Sequence, residues 1–262
     1  MTNQLSHKKS PTKEGSNKSL SVEGITDYLL KLANPEIAAH SQGFFKTAKG
    51  QYGEGDLFLG IRVPILRQAV KQLQSTSVTT AEQLLSSKYH EVRLFALLLL
   101  VTKFTQAKQL SDDRGLTDIY QRYLNNTQFI NNWDLVDSSA YHIVGAYLYH
   151  SDQAEQTEKK LFELAHSSDL WQRRIAIVAP YHFIKQQQYQ YTLQVAEILL
   201  NDPHDLIHKA VGWMLREVGK QDKQTEVDFL NKHYRKMPRT MLRYAIEKFS
   251  PDERQAYLKG RI

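Results

Sequence analysis

SSDLWQRRIAIV, residues 167–178, is the stretch whose reading decides the fold. Beyond its polar start, Ile175, Val178 and then Tyr181-His182 recur at steps of three and four, which is the period of one helix face. Two other stretches begin in the same way: SSKYHEVRLFAL (86–97) and NDPHDLIHKAVGWML (201–215). Each starts with a helix-capping Ser or Asp. Each reaches a basic residue six positions after its second residue: Arg93, Arg174 and His208. The same helical period runs through Leu84-Leu85, Val92, Phe95, Ala96 and Leu99, and again through Val195, Ile198 and Leu199. Alternating strand patterns and two-residue hairpin signals are scarce. The chain therefore reads as all-α.

A fourth unit fits between these, with Thr127 six residues before Trp133. Landmarks at 93, 133, 174 and 208 repeat at roughly the length of a HEAT-type helical pair. Stacked pairs of that kind form an α-α superhelix, a solenoid with a concave face. An irregular helical bundle is the alternative. The solenoid is preferred because three of the four units share a start signal as well as a length. Residues 21–262 are read as a single HEAT-like repeat domain. Residues 1–20 are polar, lack periodicity and read as a disordered basic arm.

Composition narrows the function. Hydrophobic residues make up 41% of the 262-residue chain and charged residues 24%, as in ordinary soluble domains. With no cysteine, structural disulfides, thiolate zinc sites and cysteine nucleophiles are excluded. There is no apolar run of membrane-spanning length and no signal-peptide core at the N-terminus, which favours a cytoplasmic protein. The net charge is +6, but Lys8, Lys9, Lys13 and Lys18 against Glu14 place +3 of it in the arm. Any basic surface on the rest of the chain must be local.

GQYGEGDLFLGIRVP (50–64) is rich in glycine and invites comparison with a phosphate cradle. It contains neither GxGxxG nor GxxxxGK[ST], and Glu54 and Asp56 would repel phosphate. It reads instead as a loop entering a helix near Pro64. His204 and His208 stand one turn apart but lack HExxH context and an evident third ligand, so no metal and no cofactor is expected. Ser138 and Ser139 lack a nucleophile-elbow context.

The three tryptophans, Trp133, Trp171 and Trp213, all lie in the repeat-start helices. Singly, each would be ordinary core. Their neighbours are less ordinary. In NNWDLVDSSA (131–140), Asp137 follows Trp133 by one helical turn and lies at the edge of a stripe holding Val136, Ala140, Val144 and Tyr147. Asp134 points further round, toward solvent. Asp137 is thus partly desolvated, with Ser138 and the neighbouring repeat as hydrogen-bond partners. It is either a structural carboxylate bonded to a neighbouring helix or a fixed negative charge in a cleft, able to stabilise a developing cation. Arg173-Arg174 follow close after Trp171, and Lys209 and Arg216 flank Trp213. They are either solvated helix faces or cation–indole pairs suited to a phosphodiester backbone with a sugar against the ring.

Four blocks, FLGIRVP (58–64), NNWDLVDSSA (131–140), LWQRRIAIV (170–178) and KAVGWMLREVGK (209–220), together resemble the AlkD-type DNA alkylation repair enzymes, in family order. The resemblance implies a DNA glycosylase built from HEAT-like repeats. Such an enzyme excises cationic N3- and N7-alkylated purines from double-stranded DNA without flipping the base. By the same resemblance Asp137 is the catalytic aspartate, Trp133 and Trp213 contact the sugar, and Arg174 contacts the backbone in the cleft. Lys185 and Arg216 fall near phosphates, and Arg173, Lys209 and Arg62 join them as DNA-binding cations. The implied enzyme is a monomer with no lyase activity and no membrane association. The GQYGEGD loop is longer than in the best-understood branch. The alternative function is a non-catalytic HEAT-like scaffold that binds protein or nucleic acid. Under it no base is released and Asp137 is structural.

Overall fold

The computed structural model describes residues 21–262, and the arm expected over 1–20 lies outside them. Among the described residues the ordered elements are helices, and Leu57 and Tyr89 form one isolated parallel bridge. The all-α expectation holds. The chain divides into two compact units, one ending at Ala96 and one running Leu97–Ile262.

The first unit contains α1 (Val22–Leu30), α2 (Pro35–Phe44), α3 (Val63–Gln72), α4 (Val78–Leu84) and the start of α5 (His90–Gln109). Polar caps set the starts. Ser21 Oγ accepts from the Gly24 N–H at 3.1 Å, and Asn34 Oδ1 accepts from Glu36 and Ile37 at 3.1 Å ahead of Pro35. Ile25, Leu29, Leu66, Leu84 and Leu85 are fully buried.

The glycine-rich loop does bind an anion, but the anion belongs to the protein. The N–H groups of Leu59, Gly60 and Ile61 donate to the Glu91 carboxylate at 2.8, 2.7 and 3.2 Å. Gly60 has φ +77°, and a Cβ there would collide with the Asn34 carbonyl, so only glycine suits the position. Asp56, within the same loop, is buried. It accepts from Arg93 Nη2 at 2.7 Å and pairs with His90 Nδ1 at 3.1 Å. Burial works to raise the Asp56 pKa, but its bonds to His90 and Arg93 outweigh it and hold the carboxyl below its ordinary value. The loop then enters α3 with Pro64 in the first turn, as expected. Glu91→Ala would strand three buried donors, and a loss of about 3 kcal/mol is expected in urea unfolding. A loss under about 1 kcal/mol would mean the loop is held by something else.

The second unit carries α6 (Asp113–Asn125), α7 (Trp133–Asp137), α8 (Ala146–Ser151), α9 (Ala154–Ala165), α10 (Leu170–Val178) and α11 (Tyr181–Ile184). It continues with α12 (Gln190–Ile198), α13 (Asp205–Gln221), α14 (Lys223–His233), α15 (Arg239–Ala245) and α16 (Pro251–Leu258). Helix α10 packs against α7, α9 and α13, and α13 packs against α14 and α15. Their shared core includes Val136, Ile143, Ile175, Val178, Val195, Val211, Leu215 and Met241.

The internal repeat is visible as a recurring hydrogen-bond hook, in a register that corrects the sequence alignment. Ser87, Ser167 and Asp202 each accept, through the side chain, the N–H two residues on, at 3.2, 3.1 and 2.8 Å. Each also offers its carbonyl to a basic side chain six residues on. Arg93 Nη1 donates at 3.1 Å, Arg173 Nη1 at 3.0 Å and His208 Nε2 at 2.6 Å. Arg173, not Arg174, is therefore the counterpart of Arg93 and His208. The Ser and Asp residues form turns ahead of the helices. The N-cap residues of α10 and α13 are Asp169 and His204.

A second correction concerns the helix begun at Trp133. It stops at Asp137, and after a turn the chain makes a π-helical turn over Tyr141–Gly145 before α8. The apolar stripe survives, since Val136, Ala140 and Val144 are fully buried, but Tyr147 is half-buried and stacks on Tyr120 at 4.0 Å. Asp134 is half-buried, not turned to solvent.

Glu226 of α14 is a buried acid, with its Oε2 lying in the space left by the missing Cβ of Gly219. Burial pushes its pKa up to about 8, against the pull of Arg216 and Lys223. Between the unfolded value and about 8 the native state keeps a proton that the unfolded chain has released, so stability falls as pH rises through that window. Glu226→Gln is expected to flatten the Tm–pH curve across it and to raise Tm at its alkaline end. An unchanged slope would show that Glu226 does not titrate in this way.

Candidate active site

Asn132 is fully buried and extended, and its Oδ1 accepts the Trp133 N–H at 2.8 Å. This cap starts the five-residue α7, which begins with Trp133 and ends with Asp137. Both residues are half-buried. The Asp137 carboxylate meets Arg174 of α10 in a two-pronged pair, Nε to Oδ1 and Nη2 to Oδ2, each 2.8 Å. Arg174 Nη1 donates in addition to the Leu206 carbonyl at 2.6 Å. One guanidinium thus ties together α7, α10 and the first turn of α13. The Arg174 side chain is 6% exposed and that of Asp137 19%, so part of the Asp137 side chain stays open to solvent. Burial raises the Asp137 pKa above its ordinary value, Arg174 opposes this by charge and hydrogen bonds, and Asp134 adds to the rise.

The partner expected in the neighbouring repeat is therefore Arg174. Ser138 is not a partner, because its Oγ donates to the Leu135 carbonyl at 3.3 Å. Ser139 is fully buried and donates to the same carbonyl at 2.6 Å.

Trp213 lies on α13, half-buried, with Nε1 donating to Glu217 Oε1 at 3.1 Å one turn on. Glu217 also accepts from Lys220 at 2.7 Å, which fixes the acceptor and with it the indole. The Tyr181 ring lies 6.1 Å from Trp213 and 5.2 Å from Tyr141. Lys185 places its ammonium over both tyrosines, 4.5 Å from Tyr181 and 4.8 Å from Tyr141. Burial, then Glu217, raises the Tyr181 pKa, so its hydroxyl stays protonated. Nearby His182 is lowered to about 4 by burial and by Lys108, Lys185 and His142, so it is neutral at physiological pH.

Sequence reasoning did not single out Tyr141, Tyr181 and Glu217. One signal for Tyr141 was available: it follows Asp137 by the same four residues that separate Asp137 from Trp133. The π-helical turn at Tyr141 leaves no such trace.

The remaining cations are differently engaged. Arg173 donates to Asp202 Oδ2 at 2.6 Å and to the Ser167 and Ser168 carbonyls, as part of the repeat hook. Arg216 pairs with Glu247 and lies 3.6 Å from Glu217. Lys209 pairs with Asp205 at 2.8 Å. Arg62 is exposed at the N-cap of α3, in the first unit. Trp171 is buried. His204 Nδ1 accepts the Leu206 N–H at 3.1 Å, so the His204–His208 step serves the start of α13. No described helix is long and apolar enough to cross a membrane.

Residues 25–249 match the sequence model of a family described as DNA alkylation repair enzyme. A solved structure of a predicted DNA alkylation repair enzyme from Enterococcus faecalis superposes with a TM-score of 0.64 over 84% of this chain and 97% of that chain. At 18% identity this likeness shows a shared helical fold. No curated protein matches the chain.

Proposed function

The chain belongs to the DNA alkylation repair enzyme family, and on that premise we propose that it is a DNA glycosylase of the AlkD type acting on cationic N3- and N7-alkylated purines. The observation that carries the reading is the Asp137 carboxylate, gripped by Arg174, on a side chain partly open to solvent and one turn from Trp133.

The chemistry needs what this arrangement offers. An N3- or N7-alkylated purine carries a positive charge and leaves without protonation by an acid. As the glycosidic bond stretches, its electron pair goes to the departing purine and positive charge develops on the deoxyribose. A fixed carboxylate stabilises that charge. It also orients the water whose oxygen bonds to the sugar carbon while the proton is released. Trp133 and Trp213 pack indole faces against the sugar. Arg174 acts first as a positioning residue for Asp137. Contact with a phosphate would use the N–H groups left on Nη1 and Nη2. Lys185, Arg216, Lys209, Arg173 and Arg62 supply further backbone contacts. For Arg216, Lys209 and Arg173 this requires exchanging present carboxylate partners for phosphate. The HEAT-like repeats bind duplex DNA, and the protein acts as a cytoplasmic monomer.

The test is incubation of the purified protein with methylated duplex DNA. Free N3-methyladenine or N7-methylguanine is expected, with the strand intact until the abasic sites are cleaved by alkali. DNA binding with no free base would favour the scaffold reading.

A further inference from the structure

The candidate site does not account for the most concentrated charge in the protein. Residues 229–246 hold Lys232, Arg235, Lys236, Arg239 and Arg243 and no Asp or Glu. Residues 21–262 carry a net +3, less than this one segment supplies, so the rest of the described chain is net acidic. All five cations are exposed. Arg235, Lys236, Arg239 and Arg243 have no ion-pair partner among the described residues.

The surface is also built. Arg235 lies over the Tyr234 ring at 5.6 Å and donates Nε to its hydroxyl at 3.0 Å. Arg239 donates Nη1 to the Leu258 carbonyl at 3.0 Å. Each guanidinium is held by one N–H and keeps the others available. Both line one cleft with Tyr234 and Tyr257. Arg243 follows Arg239 by one turn on α15. That helix is anchored through buried Met241, Leu242 and Ala245. Its backbone comes so close to α13 that a Cβ on Gly212 would lie 2.5 Å from the Tyr244 Cβ. Gly212 directly precedes Trp213, so the basic surface is fixed to the helix that carries the candidate sugar-contacting indole.

We propose that the exposed cations of residues 235–243 form a phosphodiester-binding surface that holds the DNA backbone outside the lesion site. Several unneutralised, exposed cations without an intervening acid suit a regularly charged polyanion, and guanidinium groups fixed by one bond suit phosphate oxygens. The proposal rests on the reading of this chain as a DNA-acting protein, but it needs no catalysis.

The side chains of Lys236 and Arg243 make no hydrogen bond or ion pair among the described residues, so their replacement is expected to leave the fold intact. The experiment measures affinity of full-length protein for an unmodified 24-base-pair duplex as salt is raised. K236Q/R243Q is expected to reduce the log–log salt slope by about 1.8, from about 0.9 per phosphate contact. The wild type should then lose about 12-fold more affinity than the variant between 50 and 200 mM salt. The charge-keeping Lys236→Arg/Arg243→Lys variant should restore the wild-type slope. Equal slopes for wild type and K236Q/R243Q, at matched melting temperatures, would overturn the proposal. So would wild-type slopes together with selective binding of poly-glutamate, which would assign the surface to an acidic protein. A protein that releases no base but shows the slope change loses the glycosylase reading and keeps this surface. One that releases base with no slope change does the reverse.

Discussion

Asp137→Asn is expected to slow release of the alkylated base by about 10²–10³-fold, the usual loss when a single electrostatic contact to the transition state is removed. Asparagine keeps the shape and can still accept one bond from Arg174, but it offers no negative charge to the sugar. Affinity for undamaged duplex should change little, because binding draws on phosphate contacts spread over the surface. The loss should therefore appear in the single-turnover rate at saturating enzyme, not in the concentration needed to saturate. Turnover equal to wild type would return Asp137 to the structural role that its pairing with Arg174 also allows.

Arg174→Gln carries a different and equally large signature. Arg174 is almost fully buried and bridges Asp137 and the Leu206 carbonyl. Removing one member of such a pair leaves a buried charge without its partner, and a loss of about 3–5 kcal/mol is expected in denaturant unfolding. The carboxyl of Asp137 then feels burial with no guanidinium to oppose it, and its pKa rises further. At neutral pH a larger fraction is protonated and unable to stabilise a cation. Base release by the variant should climb with pH across a range where the wild type is flat. Its stability should move the other way, because the unfolded chain releases the Asp137 proton at a lower pH than the native one does. A variant with low but pH-independent activity would show that Arg174 does not govern the ionisation of Asp137.

The helical class was legible because a 3.6-residue period needs no tertiary information, and turn residues recur ahead of α5, α10 and α13. The register of the repeat was not legible. Arg173 and Arg174 are adjacent and chemically identical, and only the backbone geometry decides which one reaches back to the Ser167 carbonyl. The other then crosses to Asp137, a partner 37 residues away that no local spacing encodes. The apolar stripe beside Trp133 and Asp137 presupposes a regular helix of about 100° per residue. The π-helical turn at Tyr141–Gly145 breaks that regularity, so the meeting of Tyr141 and Tyr181 beneath Lys185 was not legible in residues that read as amphipathic helix. The amides of the glycine-rich loop at Leu59, Gly60 and Ile61 are already held by Glu91, an arrangement that the repulsion expected from Glu54 and Asp56 did not foretell. Asp137 and Trp133 are legible in the sequence because a carboxylate and an indole one turn apart, beside an apolar stripe, are hard to explain as surface or as core.

In the proposed mechanism the Asp137 carboxylate drives hydrolysis of the glycosidic bond. The most direct test of that role is a single-turnover assay on a duplex holding one N7-methylguanine, with wild type and Asp137→Asn side by side at saturating enzyme. The prediction is free N7-methylguanine from the wild type, and release slowed by at least about 100-fold in the variant at unchanged DNA affinity. No free base from the wild type, or equal release by the two proteins, would contradict it.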